Sequence, residues 1–345
     1  MRQPLALTLL VAALAACSSQ SSSLSPRSSE SAGTFAPSVQ PSPPATTVPA
    51  PQRTPTRNGM ALVYGRFVGD DRKAAFVAAE DGTLERRVLE QVAGDIRSVS
   101  WAPGDRLSFV VRDTLHPDGA IWTSRANGEG AIVYYDGRTD GCDSVFYPAF
   151  SPDGNHLALV CYRPEGSSLA ILDIVGRELR FLATFAWPES LDNPARWSSD
   201  GKTLAFDVLH WDPSDSFVDG SRIATIDADG SAQPRYLTGF DSSAARPAWA
   251  PGDQTLIYNT YDLSSVHDDV ASDIFTIDRD GSPPALFLSA AEVGVARLAQ
   301  PFWASAGDRI WLTALTGAGL RIAWIEPETR VLTVLPLEGS AVDVR

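Results

Sequence analysis

Histidines, carboxylates and indoles are the side chains best able to bind or transform a ligand, and this chain gathers them in two short segments. One holds His210, Trp211, Asp212, Asp215, Phe217 and Asp219, and the other holds Tyr261, Asp262, His267, Asp268 and Asp269. Exposed aromatics beside hydrogen-bonding groups suit recognition of a protein, peptide or glycan. Two histidines among carboxylates can also ligate zinc. A third set, Asp95, Asp143, Asp192 and Asp241, recurs along the chain and offers hard oxygen ligands for calcium. That set supports a competing reading as a metal-dependent enzyme of lactonase-like or lyase-like type. The sequence has no G-x-S-x-G elbow, no H-E-x-x-H, no glycine-rich phosphate loop and no C-x-x-C pair. No catalytic residue is therefore assigned, and the leading expectation is a non-enzymatic binding module without a cofactor.

The remaining chemistry belongs to cysteine. Behind Arg2, an apolar run from Leu5 to Ala16 is too short to span a bilayer but long enough for the hydrophobic region of a secretory signal. It ends in Leu14-Ala15-Ala16-Cys17, which resembles the lipobox of bacterial lipoproteins. That resemblance implies cleavage after residue 16 and a diacylglyceryl group on Cys17. The protein would then be anchored to the outer face of the plasma membrane or to the outer membrane, and would touch the membrane through that lipid only. The segment from 18 to 57 is mostly Ser, Pro and Thr, and its only large apolar side chains are Leu24, Phe35, Val39 and Val48. It cannot bury enough apolar surface to offset its ordering entropy. It reads as a disordered tether.

Residues 58–345 form the folded part. The formal charge of −14 argues against nucleic-acid binding, which requires a basic patch. No stretch keeps apolar residues at helical spacing for three turns, and short β-rich runs alternate with Gly, Pro and Asp turns. An aromatic-turn-strand unit recurs with anchors at Trp101, Phe150, Trp197, Trp249 and Trp303. The near-constant interval between anchors marks an internal repeat. A second turn follows in each of the first four units, at Gly128, Gly176, Gly230 and Gly281. Two hairpins make four strands per repeat. A sixth unit at the start, with strands expected over 61–67 and 74–79, lacks its first strand, and Ser340 to Arg345 is the segment left to supply it. The expectation is an all-β, six-bladed propeller closed by the C-terminal strand, which leaves no open sheet edge.

The repeats at Pro148 to Leu159 and Pro194 to Phe206 resemble the blade signature of TolB-like (WD40-like) β-propellers. The likeness extends over nearly all of 58–345 and implies a scaffold, since the signature is structural. The α/β domain that TolB carries at its N-terminus is not expected here.

Two finer expectations follow. The turn near Pro152 and Asp153 brings Cys142 and Cys161 close to facing one another across a hairpin, and an exported protein favours their oxidation to a disulfide. The stretch from anchor aromatic to second-turn glycine is longer in the repeats of Trp197 and Trp249 than in those of Trp101 and Phe150. The extra residues fall between second and third strands, in 209–220 and 260–272. Antiparallel alternation puts both insertions, and the loop bearing His116, on one face of the propeller, with His156 on the other. That face is the expected site for an envelope protein, peptide or glycan partner.

Overall fold

The structure is a computed structural model, and it describes residues 60–68, 72–214, 217–260, 272–304 and 306–344. The chain divides into Met1–Val48 and Pro49–Arg345, and every described residue belongs to the second unit. Three strands come first: β1 (Leu62–Phe67), β2 (Lys73–Ala78) and β3 (Arg86–Val88). Blade 2 is β4 (Asp95–Ala102), β5 (Arg106–Arg112), β6 (Ala120–Arg125) and β7 (Ile132–Tyr135). Blade 3 is β8 (Ser144–Phe150), β9 (His156–Arg163), β10 (Gly166–Asp173) and β11 (Leu179–Phe185). Blade 4 contains β12 (Glu189–Ser190), β13 (Arg196–Trp197), β14 (Thr203–Trp211), β15 (Val218–Asp227) and β16 (Arg235–Tyr236). Blade 5 is β17 (Ala244–Trp249), β18 (Thr255–Thr260), β19 (Ile274–Asp278) and β20 (Ala285–Leu288). Blade 6 is β21 (Arg297–Trp303), β22 (Ile310–Thr316), β23 (Gly319–Ile325) and β24 (Leu332–Glu338). The last strand, β25 (Ser340–Val344), returns to pair antiparallel with β1 and completes blade 1 in the order β25-β1-β2-β3.

The first strands of successive blades touch one another all the way round, β25 against β4, β4 against β8, β8 against β13, β13 against β17, β17 against β21 and β21 against β25. They are therefore the innermost strands of a closed ring. Six apolar cores fill the six gaps between blades. Val63 and Val77 meet Leu107 and Phe109 between blades 1 and 2. Trp311 and Ile322 meet Leu62 and Tyr64 between blades 6 and 1. Sheet faces that would otherwise be wet are thereby buried, and burial of apolar area is the principal stabilising term.

The blade signature has a physical content that the structure makes visible. At the first turn of blade 3, Asp153 accepts hydrogen bonds from the Ser151 hydroxyl at 2.6 Å and the Asn155 amide at 3.0 Å, and these hold its carboxyl down at about 2. Gly154 has a φ of 73°, the left-handed conformation that such a turn requires and that glycine adopts without strain. The anchor indoles clamp neighbours together. Trp101 donates its ring N–H to the Ala61 carbonyl, Trp197 to that of Ala149 and Trp249 to that of Arg196.

Three residues before the anchor, Ser98, Tyr147, Arg246 and Gln300 adopt φ of 50°, 55°, 56° and 59°, and the register of the first strand shifts there. Blade 4 has Pro194 at that position. A proline ring locks φ at a negative value and so excludes the bulge. Its first strand is accordingly broken into β12 and β13, both paired with β14.

Cys142 and Cys161 are joined, with Cα atoms 5.4 Å apart. They do not face each other in the ladder, because Cys161 pairs with Val145. Cys142 precedes β8, in a chain turned back where the Cys142 N–H donates to the Gly137 carbonyl, and reaches Cys161 from there.

Candidate functional site

Among the described residues, the face carrying the connections between second and third strands is most built up at blade 4. Expectation placed a loop over 209–220, but the extra residues instead lengthen the hairpin. β14 runs for 9 residues and β15 for 10, and the Asp212 N–H donates to the Phe217 carbonyl at 2.8 Å to close the tip. Asp212 is engaged in that turn, accepting from the amide and hydroxyl of Ser214 at 2.6 and 2.5 Å. On the edge strand, Glu189 lies opposite His210 and Ser190 opposite Leu209.

The two faces of this hairpin differ. On one, Arg222 pairs with Glu189 at 3.1 Å and lies over the rings of Tyr236 and Phe240, 3.5 and 4.1 Å from their centroids. The His210 ring packs 5.2 Å from that of Phe240, and its Nδ1 meets Asp219 at 2.5 Å. Gly220 lies beneath Phe240, where an added Cβ would stand a tight 3.0 Å from that residue's own Cβ. Around Trp211 two indoles come together. The Trp211 and Trp187 rings are stacked 6.1 Å apart at 28°. The Trp211 indole donates to Ser190 Oγ at 2.8 Å and its amide to the Pro188 carbonyl at 2.9 Å, whereas Trp187 is 58% exposed. Sequence reasoning missed Trp187, Glu189, Arg222 and Phe240. A Trp-Pro pair just ahead of an innermost strand was the available signal.

Beneath this face, polar side chains gather on and behind the innermost strands. Asp207 accepts from the Asn193 amide at 2.7 Å, and burial lifts its carboxyl to about 6 against the pull of that bond and of Arg246. The matching residue of blade 5, Asn259, accepts from the Gln300 amide at 3.0 Å. Asp343 of the closing strand accepts from the Trp101 amide at 2.8 Å. Burial pushes its carboxyl up and the Arg196 guanidinium down, and their mutual attraction opposes both shifts. Lys73 is also lowered, first by burial and then by the positive charges of Arg97 and Arg246.

The four aspartates proposed as calcium ligands are not brought together. Asp95 holds Arg97 at 2.5 Å, and Asp192 accepts from the hydroxyls of Tyr147 and Tyr162 at 2.8 and 3.1 Å. Among the described residues, no three His, Cys, Asp or Glu side chains are grouped to hold a metal ion. His116 is tied to Asp113 at 3.1 Å and lies edge-on to Trp122. Cys17, Asp215, Tyr261, Asp262, His267, Asp268 and Asp269 lie outside the described residues. No helix among the described residues is long and apolar enough to cross a membrane.

No protein-family model matches the sequence. No curated protein matches it either. Solved structures do. TolB from Acinetobacter baumannii is similar at 16% identity and a TM-score of 0.61, over 82% of this chain and 65% of that one, so the chain spans less than two thirds of that TolB. A protein assigned to TolB from Agrobacterium tumefaciens gives 16% identity and 0.58, over 81% and 90%. A chain of a nidogen/laminin complex gives 10% and 0.59, over 83% and 98%. At these identities the likeness is one of architecture, and the architecture is a six-bladed, TolB-like β-propeller.

Proposed function

We propose that this protein is an exported binding module, anchored in the cell envelope through a lipid on Cys17, which presents one propeller face to an envelope protein, peptide or glycan. The observation that carries the reading is the blade 4 hairpin. It is the longest strand pair among the described residues, it stands on a rigid ring, and it offers an exposed indole beside pre-positioned charged and aromatic groups. Binding residues on projections from a rigid scaffold lose little entropy on complex formation. The pairing of nidogen with laminin in the similar solved complex fits such a use of the fold, and the reading needs no cofactor. Crosslinking on intact cells, followed by identification of captured species, tests it. Replacing His210 and Trp211 by alanine, with folding confirmed by an unchanged melting profile, is expected to abolish capture. Undiminished capture would move the working surface elsewhere.

A further inference from the structure

We propose that the Trp187–Trp211 stack is a platform for the pyranose ring of a neutral oligosaccharide, an assignment that rests on the binding-module reading above. Trp211 stacks in an offset arrangement against Trp187, with centroids 6.1 Å apart and planes at 28°, and Trp187 remains 58% exposed and open to a ligand. The inner layer is fixed in advance. Ser190 and the Pro188 carbonyl hold Trp211 by its two N–H groups, so little ordering is left for a ligand to impose.

The shape decides the ligand class. A pyranose presents a broad face of C–H groups that packs on an aromatic plane through dispersion, and its ring of hydroxyls takes hydrogen bonds such as an indole N–H can give. A proline-rich peptide instead docks in a groove between aromatic ridges. Decaproline is therefore the peptide against which saccharide binding is compared. Charge points the same way. Among the described residues beside the stack, Arg222 is paired with Glu189 and His210 with Asp219, and Asp212 is bound into its turn. A ligand without net charge meets no penalty for lacking a counter-ion there.

The probes are cellotetraose, chitotetraose and maltotetraose, with decaproline as the peptide comparison, each titrated calorimetrically into the full-length protein. At least one tetrasaccharide is expected to bind, and Trp187→Ala should weaken it about tenfold or more, the usual scale for an aromatic anchor. Trp187→Tyr should retain most of the affinity. Because Trp187 is exposed, neither change should lower the melting temperature. The proposal is overturned if no tetrasaccharide binds, if decaproline binds in their place, or if Trp187→Ala leaves saccharide affinity unchanged. Its failure is separable from that of the broader reading. With no sugar bound but crosslinking still dependent on the hairpin, the saccharide assignment alone falls; with crosslinking also indifferent to the hairpin, the binding-module reading falls with it.

Discussion

Blades 3 and 4 are neighbours built on the same repeat, and they obey different rules. Blade 3 has a continuous first strand with Tyr147 in the bulge at φ 55°, a buried Val160 at the centre of its second strand, and a disulfide tying that strand to its incoming connection. At the equivalent places blade 4 has Pro194 and a broken strand, a buried Asp207 and no covalent tie. It also carries the long hairpin and the exposed Trp187. Departures from a structural pattern tend to gather where a protein works and to be offset elsewhere. On the proposed binding role, blade 3 would hold the ring and blade 4 would carry the working surface.

Both roles depend on the ring being closed, so the largest effect should come from removing β25. Deleting residues 340–345 exposes the edge of β1, strips Val342 from the core between blades 6 and 1, and takes the acceptor from the Trp101 amide. A loss of at least about 4 kcal/mol is expected from an unpaired strand edge, a lost core residue and a buried orphan donor acting together. Urea unfolding of the truncated protein measures it, and a midpoint equal to wild type would show that the blades do not need closure.

The contrast between the two blades predicts unequal responses to reductant. Cys142 and Cys161 are both buried, with a sequence separation of 19. A bridge closing a loop of that size should contribute about 3 kcal/mol through the unfolded chain. The double change Cys142→Ser with Cys161→Ser is expected to lower stability by that amount and leave Trp187-dependent binding untouched. A loss of binding would mean that the scaffold and working blades are not separable.

Asp207 should respond in the opposite direction. Its folded-state value of about 6 lies above the ordinary 3.8, so the folded protein binds this proton more tightly than the unfolded chain does. Its ionised form therefore costs stability above about pH 6, and that cost is relieved as pH falls from about 6 toward 4. Asp207→Asn keeps an acceptor for Asn193 and is expected to stabilise the protein by about 1 to 3 kcal/mol at pH 7.5, with the difference vanishing near pH 4. Denaturation of both forms across that range checks the sign. Destabilisation at pH 7.5 would mean that the charge is needed by Arg246 more than it is penalised by burial.

The parts of the molecule read directly from the sequence were those fixed by local chemistry. Aromatic spacing, turn glycines and an unemployed C-terminal strand signal act within a few residues, and they specified blade number and closure. The bulge at Tyr147 and its counterparts left no such signal, because a positive φ at a non-glycine residue is set by the neighbouring strand and not by side-chain type. Asp207 was hidden for a similar reason. On a repeat alignment it is one polar residue in an apolar strand, and its burial depends on blade 5 packing over it. His210 and Trp211 were legible from the insertion, but Trp187 joins them from the turn before β12 and Arg222 from β15 through Glu189 and Phe240, which spacing within one segment cannot reveal.

The smallest expected effect tests the comparison most sharply. Blades 3, 5 and 6 place proline two residues before the anchor aromatic, at Pro148, Pro247 and Pro301, whereas blade 4 places it three before, at Pro194. Shifting a proline by one residue moves its locked φ onto the bulge position, which falls within the gap between β12 and β13. The double change Pro194→Tyr with Ala195→Pro gives blade 4 the blade 3 arrangement. The bulge that this restores puts a non-glycine residue at positive φ, at a cost of about 1 kcal/mol, while the mended ladder returns a comparable amount in hydrogen bonds. Net stability should therefore change by less than about 1 kcal/mol. The site should change far more. β12 carries Glu189 and Ser190, which position Arg222 and Trp211, so a first strand drawn into continuous register shifts both partners. Near-ultraviolet circular dichroism of the indole stack and partner capture on cells are the readouts, and both are expected to fall while the melting temperature holds. Capture that survives in a variant with a continuous first strand would show that the broken strand is a tolerated irregularity and not the device that sets the site.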